Sequence, residues 1–477
     1  MIHTINRLQF QFNCSDEDQA FNFRENFGVT FQEQITDAVD IICSAYVSKD
    51  EWLRIDKLEI DLGYFSPDSF DANFAASFKY KFEKELAQKL SAISSTEKKV
   101  LQQRSKKELF QHFLQTGILP WWASESEINI DEIAIDLITH YPEVIKQFFY
   151  HYQHKRNIWL RTALQLTQKN KALIVSLIGE LKTTKELFLR WIQQLNILLK
   201  NESATALQID DETLENIILK QAPDIFRHIK DENFFLEIFE KNIAAIFTDI
   251  KSINKIIVEN KPIFLQVYSE MFNNDVSKDV LNKIDIHQNP EQGKKLLEDT
   301  IIFNEENEKI IIEKHTVKHA GIILLAPFLK SFFTNLNLLH NEQWKTKDAQ
   351  YRAVHLLKFL STGTQKMPEY NLTLEKIICG LHIEEPIPFD INLEESEINE
   401  AVSLLESVIE HWKALKNTSV NGLRESFLKR DGLLSEKEND WLLQVERKTL
   451  DILIDSIPWG YSTISLPWNY NLIFVEW

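Results

Sequence analysis

Glycine and proline are both in short supply. Eleven Gly and twelve Pro in 477 residues are about a third and about a half of their usual shares of about 7% and 5%. So few breakers argue for long helices with short connections. They also leave little material for a phosphate-cradling glycine loop. Cysteine is rarer still. Cys14, Cys43 and Cys379 are far apart and odd in number, which gives neither a disulfide framework nor a zinc spacing and fits a reducing compartment. Basic charge is outweighed, with 53 Lys and Arg against 71 Asp and Glu and a formal charge of −18. No basic run exceeds a few residues, so a face that grips nucleic-acid phosphates or an anionic membrane is not indicated. The longest apolar run, Ala320 to Leu329, contains Pro327 and is about half of a membrane span. The N-terminal MIHTINRLQFQF lacks the charged and apolar regions of a signal peptide. The expectation is a soluble protein that folds in the cytoplasm, with no nucleic acid bound and no membrane insertion.

What the chain does have is apolar bulk: 44% hydrophobic residues, 31 Phe and 11 Trp. Domains of about 100–200 residues imply two to four units. The fold class read from the pattern is mainly α, a helical middle flanked by a small N-terminal α+β module and a C-terminal module with β-strands. Residues 1–95 form the N-terminal module. Leu8, Phe10 and Phe12 alternate with polar residues, the mark of a half-buried strand. Ile35, Val39, Ile42 and Tyr46 share one helix face. Trp52 to Leu62 reads as a second strand whose phase slips near Asp56 and Lys57, so a bulge or twist is expected there. Ser66, Pro67 and Asp68 spell a helix start. The helix carries Phe70, Phe74, Phe78, Phe82, Leu86 and Leu90. Four residues overshoot a turn by about 40°, so this stripe winds about 200° and must be wrapped by a neighbour or meet two surfaces.

Residues 96–350 read as a helical region. Pro142, Pro223 and Pro262 each look like a helix start, with another near Thr183 and Thr184. Their spacing of roughly 40 points to stacked helix pairs in a solenoid. Residues 351–477 form a C-terminal helical module that ends in Trp-rich strands. Phe113 to Pro120 and Phe359 to Pro368 share Phe-Leu-x-Thr-Gly followed by proline, and each Gly is placed to end a helix in the left-handed conformation. Ile398, Val402, Leu405, Ile409 and Trp412 form a helical seam. Val420, Leu423 and Phe427 mark a shorter helix before the Asp431-Gly432 turn. WLLQVE from Trp441 and the closing ISLPWNYNLIFVEW read as strands.

No catalytic constellation emerges, and the chain reads as a non-enzyme without cofactor or metal. His315 and His319 would share a helix face, but Thr316 stands where a metalloprotease needs Glu. His151 and His154 read the same way, as surface or partly buried histidines. Glu384 and Glu385 are adjacent in an extended segment, so their carboxylates point apart. The aromatic ends remain. Trp121, Trp122, Trp459, Trp468, Phe474 and Trp477 are the candidate protein-binding or module-closing residues, because Trp combines large apolar area with one donor. The closing IFVEW lacks a polar tail, and the expectation is a buried or partner-docked C-terminus.

Several separated motifs occur in order: IHTINRLQFQFNC with WLRIDKLEIDLG, FLQTGILPWWA, HAGIILLAPFL, AVHLLKFLSTG leading to PEYNLTLEKIICGL, and the tail from ALKNTSVNGLRESFLKRDGLL to the end. Together they resemble the tape measure family of contractile injection systems, phage-tail-like bacterial particles with an inner tube, a contracting sheath, a baseplate and a cap. The resemblance implies a role in particle assembly, setting tube and sheath length while contacting tube, baseplate or cap proteins. It implies a cytoplasmic stage, a place inside the tube afterwards, and no catalytic residues. As one continuous helix this chain would span roughly 700 Å, whereas a compact chain of this size is only about 45–50 Å across. The prolines, strands and apolar segments favour the compact form, so a compact assembly chaperone or adaptor is the alternative.

Overall fold

The computed structural model describes residues 5, 8–14, 17–46, 55, 57–65, 70–92, 95–123, 128–201, 207–246, 250–272, 314–389 and 391–477. The architecture is mainly α, with a small sheet toward the C-terminus. The chain divides into two compact units, residues 1–111 with 119–128, and residues 112–118 with 129–477.

The first unit is built on α1 (Glu17–Tyr46), α2 (Phe70–Ser91) and most of α3 (Ser95–Thr116). All six stripe residues of α2, Phe70 through Leu90, are buried. The stripe packs against Phe27, Ile35, Ala38, Val39 and Ile42 of α1. Phe10 and Phe65 from the non-helical segments join the same core, with Phe10 6.1 Å from Phe74 and Phe65 5.2 Å from Phe70, ring centre to ring centre. The expected strands are not formed among the described residues of this unit. Residues 8–14, 55 and 57–65 make no ladder. Their alternation survives as packing: Leu58, Ile60 and Leu62 lie against the core, while Lys57, Glu59 and Asp61 are exposed. Ile55 also faces the core, so the phase does slip between 55 and 58. A half-buried extended segment needs an apolar surface, and here helices supply it. Trp52 lies outside the described residues.

In the second unit the helical middle runs through α4 (Ile130–His140), α5 (Pro142–His151), α6 (Arg156–Gln165), α7 (Gln168–Leu177), α8 (Gly179–Asn201), α9 (Asp211–Arg227), α10 (Glu232–Ile246), α11 (Ile250–Glu259) and α12 (Lys261–Phe272). Asn129 caps α4, its side chain accepting from the amides of Asp131 and Glu132, and Asp210 caps α9 by accepting from Thr213 N–H at 2.7 Å. Two of the proline starts are present, at Pro142 and Pro262. Pro223 is a correction: it lies inside α9, whose start is set by Asp210 instead. Thr183 and Thr184 likewise fall inside α8, a turn past its start at Gly179. The helices fold back on each other, with α9 packed against α6, α7 and α8, and α8 against α12.

Residues 314–344, read as helical from sequence, hold β1 (Lys314–Val317), a 3-10 segment (Ala320–Leu325), α13 (Ala326–Asn335), β2 (Leu339–His340) and β3 (Gln343–Trp344). Then come α14 (Lys347–Thr362), α15 (Thr373–Ile378), α16 (Glu395–His411), α17 (Val420–Leu423), β4 (Gly432–Lys437), β5 (Asp440–Val445), β6 (Thr463–Ile464) and β7 (Ile473–Glu476). The five-stranded sheet has the order β1-β4-β5-β7-β6. Only β5 and β7 are parallel, in the register Leu442 to Phe474. The seam of α16 is buried at Leu405, Ile409 and the following Trp412.

Candidate functional site

The two Phe-Leu-x-Thr-Gly segments end their helices in the same way. Gly117 has φ +79° and Gly363 has φ +77°. Each glycine amide donates to the carbonyl of the motif Phe, Phe113 or Phe359, at 2.8 Å. This is a left-handed C-cap that glycine reaches without steric cost. Each end also receives a buried arginine, which the sequence pattern did not reveal. Arg161 Nη1 donates to Leu114 O at 2.6 Å and to Gln115 O at 3.1 Å. Arg424 Nε donates to Leu360 O at 3.0 Å and its Nη2 to Phe359 O at 3.2 Å. Leu114 and Leu360 are the same motif position. A guanidinium there satisfies last-turn carbonyls and opposes the negative helix end. Arg424 opens a single π-helical turn, closed by Lys429 N–H donating to Arg424 O at 2.8 Å.

The residue before each motif Phe also has a matched setting. His112 lies within electrostatic reach of His315, and Lys358 Nζ donates to His319 Nδ1 at 2.7 Å. Burial and the His315 charge push the His112 imidazole down to about 4. Burial, with Lys358, Lys429 and Lys318 nearby, pushes His319 down to about 3. The two histidines do not share a helix face: His315 belongs to β1, and His319 follows it. A strand holds His315 because Thr316 and Val317 favour one.

Around the first helix end the charges form a fully buried cluster. Arg161 Nε and Nη2 donate to the two carboxylate oxygens of Glu369 at 2.9 and 3.0 Å. Lys376 Nζ donates to Glu369 Oε1 at 2.6 Å and to Ile383 O at 2.8 Å. Arg161 Nη2 also reaches Glu384 O at 2.6 Å. Burial holds the Lys376 ammonium below its usual value, against the opposing pull of Glu369. Nearby, Lys358 lies 3.6 Å from Glu375 Oε1, a carboxyl that burial pushes up. The Glu384 and Glu385 side chains part company. Glu384 is exposed, while Glu385 accepts from Tyr351 Oη at 2.7 Å and pairs with Lys347 at 3.2 Å. The Tyr351 hydroxyl is raised by burial and by that bond. His151 and His154 are exposed. Among the described residues, no group of three or more His, Cys, Asp or Glu side chains is placed to hold a metal ion.

The candidate aromatics are spread across the molecule. Trp121 is 49% exposed and Trp122 half-buried, both in the first unit. Three others direct their indole N–H inward. Trp459 donates to Leu324 O at 3.0 Å, Trp468 to Ile378 O at 2.9 Å and Trp477 to Asp451 Oδ2 at 3.0 Å. Trp468 packs 5.1 Å from the Trp344 ring, and Trp459 packs 4.9 Å from Phe328. Phe474 is half-buried on β7 between β5 and β6. The arginines escaped notice because periodicity treats charge as surface. The available signal was Arg161 within WLRTAL, an apolar stretch with no gap for a solvated face.

The family model of the contractile injection system tape measure protein matches residues 2–477. The chain belongs to that family. No curated protein and no solved structure matches it. The family match supports a tape measure role in a contractile injection system. Both helix ends, the buried cluster and all the candidate aromatics lie within the matched residues. Among the described residues, no helix is long and apolar enough to cross a membrane.

Proposed function

We propose that this chain is a non-enzymatic assembly component of a contractile injection particle. It acts through protein–protein contacts with tube, baseplate or cap subunits and exerts tape measure control of tube and sheath length. The observation that carries the reading is the family match over residues 2–477. The partners are proteins, met during assembly in the cytoplasm. The acid excess of the chain fits protein surfaces better than phosphate backbones. The exposed Trp121 is the candidate contact on the N-terminal side. The test deletes helices between Asp131 and Asn337 and measures particle length by electron microscopy. Shortening in proportion to the residues removed is the expected result. Unchanged length with fewer particles overturns length control.

One observation favours a second reading, a compact assembly chaperone or adaptor. Ties across long stretches of sequence fold the chain back on itself. Trp191 Nε1 donates to Phe264 O at 2.8 Å, and Arg161 binds Glu369. In this form length is not read out at about 1.5 Å per residue. Mass spectrometry of purified particles separates the two readings: a ruler stays in the finished particle, and a chaperone is absent from it.

A further inference from the structure

The C-terminal part of the second unit has an apolar core of its own. The buried residues of that core run from Val317 to Val475, and among the described hydrophobic residues Ile118 is the one from before β1 that packs onto it. The middle helices pack on each other, and among the described residues none of α4 to α12 packs extensively along a helix or strand of residues 314–477. Polar ties join the two parts at α6. Arg161 binds Glu369 through two hydrogen bonds. Gln165 Nε2 donates to Ile387 O, and the Gln165 Oε1 accepts from Glu369 N–H at 3.0 Å. Phe389 N–H donates to Leu164 O at 3.2 Å.

We propose that residues 129–272 are a body that undocks from residues 314–477 at this joint, with Arg161 and Glu369 as its clasp. The physical reason is the asymmetry between polar and apolar contacts on opening. Water replaces the partners of a guanidinium, a carboxylate or a carbonyl, and much of the desolvation penalty of the buried pair is returned. Opening an apolar core returns nothing comparable. The joint can therefore part while the cores on either side stay closed. Residues 112–130 and 273–313 still link the two parts covalently. Undocking gives the helical middle freedom to move as a spacer without unfolding. The proposal stands on the joint alone and is independent of whether the chain sets particle length.

The test is hydrogen exchange on the full chain, read at the amides of Glu369 and Phe389, which donate across the joint, and at the amides of β5, which lie in the C-terminal core. In the unaltered protein the joint amides should exchange at least about tenfold faster than those of β5, the pattern of a sub-global opening. Glu369→Gln should speed the joint amides about 10- to 100-fold and leave β5 within about twofold, because it discharges the clasp and keeps its shape. Equal acceleration at both sites, or none at the joint, overturns the proposal. If Glu369→Gln does not fold, the comparison within the unaltered protein decides: joint and β5 amides exchanging at one rate overturn it.

Discussion

The two glycine-capped helix ends use one local motif and two different ways of handling a buried cation. At Gly117, Arg161 caps the helix and is neutralised by Glu369, which also serves Lys376. At Gly363, Arg424 caps the helix and lies over the Phe359 ring, its guanidinium carbon 5.4 Å from the ring centre. Its Nη1 also donates to Asn421 Oδ1 at 3.3 Å, and burial lowers its pKa. The room at the two glycines differs accordingly. A Cβ on Gly117 would stand 2.3 Å from Glu369 Oε1 and 2.8 Å from Arg161 Nη2, whereas one on Gly363 would stand 3.0 Å from Arg424 Nη1. A shared local sequence fixes how the helix stops. The charge balance around the stop is a separate choice made by distant residues.

The comparison breaks most sharply at the acid. Glu369→Ala should cost about 3–5 kcal/mol, because it leaves two buried cations unpaired, while Asn421→Ala at the other end should cost under about 1 kcal/mol. Urea unfolding of the two variants measures the difference, and equal losses would show that Glu369 does not neutralise the first end. The glycines come next. Gly363→Ala should cost about 1–2 kcal/mol for the left-handed backbone. Gly117→Ala should cost that plus about 1–3 kcal/mol for crowding a close-packed site, so its unfolding midpoint should be the lower of the two.

Acid should weaken both ends together. His112 and His319 are held near 4 and 3 in the folded chain, below an unfolded value of about 6.5. The unfolded chain therefore binds more protons inside that window. Stability from these groups is complete above about pH 6.5 and is lost as pH falls toward 4 and then 3. Denaturation midpoints at pH 7.5 and pH 5 should differ, and His319→Gln should narrow the gap. A gap of unchanged width would remove His319 from the account.

The smallest effect is expected at Trp121. As an exposed side chain, its replacement by Ala should change stability by no more than about 0.5 kcal/mol. Trp468→Ala should cost about 3–5 kcal/mol because it empties a packed site. If Trp121→Ala lowers particle yield while stability holds, the exposed tryptophan works in assembly; unchanged yield removes it as a contact.

Much of the helical layout was legible because periodicity reports burial on one face. The six-residue stripe of α2 and the seam of α16 were readable for that reason, and both glycine stops because glycine alone enters the left-handed conformation without cost. Pro223 misled because a proline signals a helix start only when no stronger cap lies upstream, and Asp210 supplies one. The strands expected at residues 8–12 and 52–62 rested on alternation, which reports a half-buried extended segment but not a pairing partner. The strand β1 was missed because His315 and His319 suit either a helix face or a strand, and only pairing with β4 settles it.

The sequence by itself determined where many of the helices form and where two of them stop, and it carried the family. Local backbone preference and the spacing of apolar residues act within a few turns, so they can be read along the chain. Only the tertiary structure decided that Arg161 finds Glu369 more than two hundred residues away, that three of the candidate indoles point inward, and that polar ties join α6 to Glu369, Ile387 and Phe389. Those outcomes depend on which distant groups can satisfy a buried charge or donor, and no local pattern records the partner.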